Sequence, residues 1–273
     1  MRTIKTGLVM GESPRWHDGR LWVADWGAGE ILAMEGDGSG AEVVARVAGM
    51  PVCFDFLPDG RMLVVDGRAG RLVCGESVYA DLTALAPPPW NDIVVDGRGN
   101  AYVGATGFDF PGGEFAPGIL ALVAPDGSIR EVADGVAFPN GVALTPDGGT
   151  LILAESYGRC LTAWDIGADG SLSGRRVWAD LGDGVPDGIC IDAEGAVWYA
   201  DVPNARCVRV REGGEVLDAV ALDRGGFACM LGGPDRSTLY VVAAEWRGIA
   251  AARSGTTGVV VAVDAPAPGA GWP

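Results

Sequence analysis

Six times along this sequence a short alternating strand runs into a tight, usually glycine-bearing turn and out through a second, more apolar strand. The clearest copy spans residues 186–201. There Ile189 and Ile191 alternate with their neighbours, Asp192-Ala193-Glu194-Gly195 forms the turn, and Val197 and Tyr199 alternate again. The other copies cover 13–25, 54–66, 91–103, 140–153 and 228–241. Their turns, at Gly19, Gly60, Gly99, Gly148, Gly195 and Arg236, are 41, 39, 49, 47 and 41 residues apart. A period of that length holds about four short strands, which is one blade of a β-propeller. Weaker third strands (30–34, 71–73, 119–123, 161–164 and 207–210) and fourth strands near Val43, Val132, Val177 and Val220 fill the intervals. One blade cannot bury both faces of its sheet, so neighbours must stack around a central tunnel. The sequence therefore predicts an all-β fold, a six-bladed β-propeller.

Such a ring has to close. Residues 4–10 and 258–263 both read as strands, so the N-terminal strand is expected to join the last blade. Residues 1–265 then form a single six-bladed propeller domain, and the Pro/Gly-rich C-terminal tail, 266–273, is expected to fray. The third blade carries a long insertion, 104–118, with Phe108, Asp109, Phe110, Glu114 and Phe115, expected to lie over one face. The 44 glycines and 17 prolines suit many tight turns, and no long stretch has a 3.6-residue apolar period.

The net charge of −16 argues against nucleic acid, whose phosphates need Lys and Arg, and against an anionic membrane surface. No targeting segment or membrane span is visible, so a cytoplasmic location is expected. The six cysteines form no C-x-x-C pair and several sit in apolar strands, which reads as reduced core residues in preference to a disulfide framework or zinc site. The single histidine, His17, precedes the turn Asp18-Gly19 and is read as a turn residue. Acid–base chemistry would then fall to carboxylates, Lys, Tyr or metal-bound water.

In a propeller the innermost strands line the tunnel and their first residues converge at one mouth. Four copies place an oxygen donor there: Glu12, Asn91, Asn140 and Asp187. Two carboxylates and two carboxamides make an all-oxygen set of charge −2, suited to one hard divalent cation. Ca²⁺ ranks first, then Mg²⁺ or Mn²⁺, with Zn²⁺ lower because it prefers His and Cys. Each residue also has a plainer reading, since Asn-Gly and Asp-Gly are turn signals and Glu12 could pair with Arg15. The joint pattern weighs against it, because the turn signals of these blades already sit one strand later. Trp90 and Phe138 flank the set and, with Asp109 and Glu114 on the insertion, are candidate substrate contacts. Asp25, Asp66, Glu155, Asp201 and Glu245 follow the second strands of five copies, a repetition that favours bonding to strand-end N–H groups. The segment 36–40, although it resembles a fragment of a calcium or phosphate loop, reads as a hairpin.

At these residues the chain strongly resembles the gluconolactonase, regucalcin (senescence marker protein) and luciferin-regenerating enzyme family. The likeness covers nearly the full length and rests on Gly11-Glu12-Ser13-Pro14-Arg15-Trp16, Asn91-Asp92, Asn140-Gly141, the stretch 186–195, and Gly232-Gly233-Pro234-Asp235 before Thr238-Leu239-Tyr240-Val241. The resemblance implies a propeller with one catalytic divalent metal, Glu12, Asn91, Asn140 and Asp187 as ligands, and Asp187 also as general base. Sugar-lactone members carry an Arg two positions before the Asn91 equivalent; here that position is Pro89. The expected activity is metal-dependent hydrolysis of a small-molecule lactone or ester by a monomer or small homo-oligomer. The alternatives are a phosphotriesterase-like or other esterase using the same site, and a non-enzymatic calcium-binding propeller.

Overall fold

The computed structural model describes residues 1–246, 248 and 255–272. After β1 (Arg2–Leu8), blade 1 is built from β2 (Gly11–His17), β3 (Arg20–Asp25), β4 (Glu30–Met34) and β5 (Glu42–Arg46). Blade 2 has β6 (Val52–Phe56), β7 (Met62–Asp66), β8 (Arg71–Cys74) and β9 (Ser77–Asp81). Blade 3 has β10 (Trp90–Val95), β11 (Ala101–Ala105), β12 (Gly118–Val123) and β13 (Ile129–Val136). Blade 4 has β14 (Pro139–Leu144), β15 (Thr150–Glu155), β16 (Cys160–Ile166) and β17 (Leu172–Asp180). Blade 5 has β18 (Pro186–Asp192), β19 (Val197–Asp201), β20 (Arg206–Val210) and β21 (Val216–Ala221). Blade 6 has β22 (Gly225–Gly232), β23 (Thr238–Ala244) and β24 (Gly258–Asp264), and β1 completes it. Among the described residues there is no helix, and so none long and apolar enough to cross a membrane.

The six first strands pack side by side, and β22 meets β2, so the ring closes. The closure is the pairing of β1 with β24, from Arg2 opposite Ala262 to Leu8 opposite Gly258. Burial falls outward along each blade: β10 is buried throughout, whereas β21 is almost wholly exposed. This is why the fourth strands read so weakly in sequence. The core is a set of apolar layers between blades. Leu63, Val65 and Leu72 of blade 2 meet Ile93, Val95 and Val103 of blade 3 in one of them. Trp164, Trp178 and Trp198 fill three others. The strand-end carboxylates act as clasps. Asp25 accepts from the N–H groups of Val9, Met10 and Ala28, and Glu155 accepts from that of Ala137 at 2.7 Å.

Two expectations about loops change. The insertion is shorter than 104–118, because β11 runs to Ala105 and β12 begins at Gly118. What remains folds back onto blade 4, where Phe108, Phe110 and Phe115 meet Phe138 and Tyr157. The tail does not fray as far as Trp272. Its strand β25 (Gly269–Ala270) pairs with β18, and Trp272 exchanges backbone hydrogen bonds of 2.7 and 3.0 Å with Leu144 of β14. The inner strands leave N–H and C=O groups unpaired on their tunnel side, and the tail satisfies some of them. Pro273 lies outside the described residues.

Candidate active site

Glu12, Asn91, Asn140 and Asp187 each occupy the second position of an inner strand, one step inside the strand and not ahead of it. In all four the pairing with the next strand slips there: between Glu12 and Arg15, Trp90 and Ile93, Pro139 and Val142, and Pro186 and Ile189. At Asn91, Asn140 and Asp187 the bulge leaves the residue itself out of the ladder and re-aims its side chain, whereas Glu12 pairs with Ala24 and the two residues after it are left out. The other two blades differ. The pairing of β6 with β7 runs without a slip, and the slip in β22 carries Phe227.

Local chemistry holds this geometry. Ser13 sits in the left-handed region at φ 48°, and its N–H donates to Glu12 Oε2 at 2.8 Å. Gly141 and Gly188 follow Asn140 and Asp187 because neighbouring strands come too close for a side chain. A Cβ on Gly141 would stand 2.5 Å from the Asp187 carbonyl oxygen, and one on Gly188 would stand 2.4 Å from the Ala228 Cβ. The Asn-Gly and Asp-Gly pairs are thus close-approach signals, not turns.

All four side chains line one cavity of about 350 Å³ at the upper mouth of the tunnel. Asn91 Nδ2 donates to Asn140 Oδ1 at 3.2 Å, and Asn140 Nδ2 donates to Ser156 Oγ at 3.2 Å. The Asn91 Oδ1 acceptor is buried with no protein partner, a costly state unless something else satisfies it. Burial, and after it the Asp187 carboxylate, hold the Glu12 carboxyl well above its usual range. Burial, then Asp92, do the same to Asp187, against the pull of the Asn140 amide. An orphaned acceptor beside two mutually repelling carboxylates fits a hard cation, which would satisfy the first and relieve the second. Among the described residues no group of three or more His, Cys, Asp and Glu could hold a metal; half of this set is carboxamide.

Beneath the four lies a layer unmarked in the sequence reading. Arg15, buried, donates from Nη2 to Asp92 Oδ1 at 3.3 Å and to the Ile93 carbonyl at 2.8 Å, and its Nε stands 3.6 Å from Asp55 Oδ1. Asp92 also accepts from Ile93 N–H and Asp55 from Val95 N–H. Burial raises both carboxyls, and Arg15 opposes it. Arg15 and Asp55 line a second cavity at the opposite mouth, where His17 stacks on Phe56 at 3.6 Å. The only sequence signal for this layer was the Arg15 and Asp92 that neighbour the candidate ligands.

The nominated substrate contacts divide. Phe138 lines the upper cavity. Trp90 does not: it is fully buried between blades 2 and 3, because alternation turns it away from Asn91. Asp109 stands outside the cavity wall and pairs with Arg68, which does line it, at 2.6 Å. Glu114 is exposed on the insertion and outside the wall. The wall instead gains Trp26, Phe110, Tyr157, Phe227 and Trp246, drawn from blades far apart in sequence. The six cysteines are free.

Fold and site together define a six-bladed propeller with an oxygen-floored, aromatic-walled mouth. The chain belongs to the SMP-30/Gluconolactonase/LRE-like family, whose model matches residues 10–245. It is 27% identical over 271 residues to the pentonolactonase XacC of Haloferax volcanii, covering 93% of this chain and 88% of that one. Among solved structures it is similar to a luciferin-regenerating enzyme (TM-score 0.83, 22% identity, 97% of this chain and 95% of that one). It is also similar to a calcium-binding regucalcin from Agrobacterium tumefaciens (TM-score 0.78, 20% identity, 99% and 94%).

Proposed function

We propose that this protein is a divalent-metal-dependent lactone hydrolase acting at the upper mouth. The carrying observation is the convergence of four oxygen side chains from four blades, one of which, Asn91, holds a buried acceptor without a partner. The pentonolactonase named above supports the reaction class, and the calcium-binding regucalcin supports Ca²⁺ as the first metal to test. Glu12, Asn91, Asn140 and Asp187 would hold the cation. Once bound, a divalent cation supplies an electrophile for the ester carbonyl and charge against the developing oxyanion. The remaining work belongs to the chain. Asp187 takes a proton from the attacking water as the new C–O bond forms. The ring C–O bond then breaks, and the proton passes from Asp187 to the departing alkoxide, leaving a hydroxy acid. Ser156, which accepts from Asn140 and donates to the Pro186 carbonyl at 2.7 Å, fixes the carboxamide.

The test is acid release from a panel of lactones by chelator-treated protein resupplied with Ca²⁺, Mg²⁺, Mn²⁺ or Zn²⁺. Metal-restored turnover is expected. Folded protein that hydrolyses no lactone with any of the four would overturn the reading.

A further inference from the structure

The wall above the four oxygens is largely apolar, and most of its polar side chains are already engaged. Phe110, Phe138 and Tyr157 stand on blades 3 and 4, and Trp26, Phe227 and Trp246 on blades 1 and 6, which face them across the ring. Phe138 lies 4.8 Å from Tyr157 and 5.0 Å from Phe110, and Phe227 lies 5.8 Å from Trp246. Phe138 also takes a left-handed φ of 63°, a conformation a bulky side chain adopts only when its surroundings impose it.

Four of the wall's hydrogen-bonding side chains are engaged. Trp26 Nε1 donates to the Val52 carbonyl at 2.6 Å. The Thr106 hydroxyl is within 3.2 and 3.0 Å of the Pro89 and Phe108 carbonyls, and that of Ser156 serves Asn140 and Pro186. Arg68 gives one nitrogen to Asp109 at 2.6 Å and another to the Phe110 carbonyl at 3.2 Å. A polyhydroxylated ring buried here would meet few free partners, and each hydroxyl left without one would cost roughly tenfold in binding.

From this wall we infer that the site takes a lactone bearing an aromatic or other bulky apolar substituent, with that substituent seated between the two aromatic faces and the ester over the four oxygens. The inference rests on the lactonase reading for the reaction and on the wall for the substrate.

The test compares kcat/KM for γ-phenyl-γ-butyrolactone, unsubstituted γ-butyrolactone and D-glucono-δ-lactone, using the full chain with the most activating divalent cation. Calorimetric binding of 4-phenylbutanoate and of gluconate is measured alongside. The phenyl lactone is expected to exceed the parent and the sugar lactone by at least about tenfold. Phe138→Leu and Tyr157→Leu should each reduce that ratio and weaken 4-phenylbutanoate binding. A sugar lactone matching or exceeding the phenyl lactone overturns the inference and leaves the lactonase reading intact. No hydrolysis, with 4-phenylbutanoate still bound in preference to gluconate and bound more weakly by Phe138→Leu, overturns the reaction and keeps the apolar site.

Discussion

The tunnel holds two carboxylate pairs, one above the other, and they are treated differently. Asp55 and Asp92 share the Arg15 guanidinium, and each accepts a backbone N–H. Glu12 accepts the Ser13 N–H and Asp187 the Asn140 amide, but no guanidinium bridges them, and an acceptor is left unsatisfied beside them. The lower pair is bridged by a cation of the chain itself. The upper pair is the one the proposed cation would bridge. Proteins break their own rules of polar satisfaction mainly at working sites, so this contrast locates the chemistry more sharply than either pair alone.

The strongest way to break the comparison is Asp187→Asn, which keeps shape and removes base and charge. Turnover is expected to fall by about 10³-fold with the circular dichroism spectrum unchanged; a fully active variant removes the assigned role. Arg15→Met attacks the lower pair instead. Two buried carboxylates lose their cation, and stability should drop by about 3 kcal/mol in urea titration. A wild-type midpoint would mean the layer is not electrostatically held. Third, the two pairs should differ in their response to metal. In metal-free protein the Glu12 and Asp187 carboxyls are raised above their unfolded values. Their contribution is thus fully present below the usual carboxylate range and lost as pH rises through the raised values. Thermal stability of chelated protein should fall over that interval, and a divalent cation at a hundred times its Kd should return about 2.7 kcal/mol. A cation effect that shrinks as pH rises would contradict the placement. Smallest, a chain ending at Pro266 should lose about 1–2 kcal/mol, since it gives up β25 and the Leu144–Trp272 hydrogen bonds.

How much of this was readable beforehand follows from the range of the forces involved. Blade count, ring closure and the four oxygen residues were legible because strand alternation and turns repeat along the chain. The bulges were not, since a register slip depends on the partner strand and leaves no mark at Glu12 or Asn91. Trp90 was misplaced for the same reason: proximity to Asn91 in sequence says nothing about which face a neighbour takes. Asp109 and Glu114 were misjudged because a loop's path is set by what it packs on, here Phe138 and Tyr157. The tail's Pro and Gly content read as disorder, while the free backbone groups of β14 and β18 that capture it belong to other blades.

The closure by β1 has a consequence for how the molecule comes into being. Glu12 follows a strand whose only partner among the described residues is β24 at residues 258–264. A nascent chain on the ribosome can therefore carry all four oxygen residues and still lack the seam that seats blade 1 beside blade 6. The proposed cation pocket would then be completed only when residues 258–264 have been made, and cation binding by stalled chains of increasing length would date the moment the ring shuts.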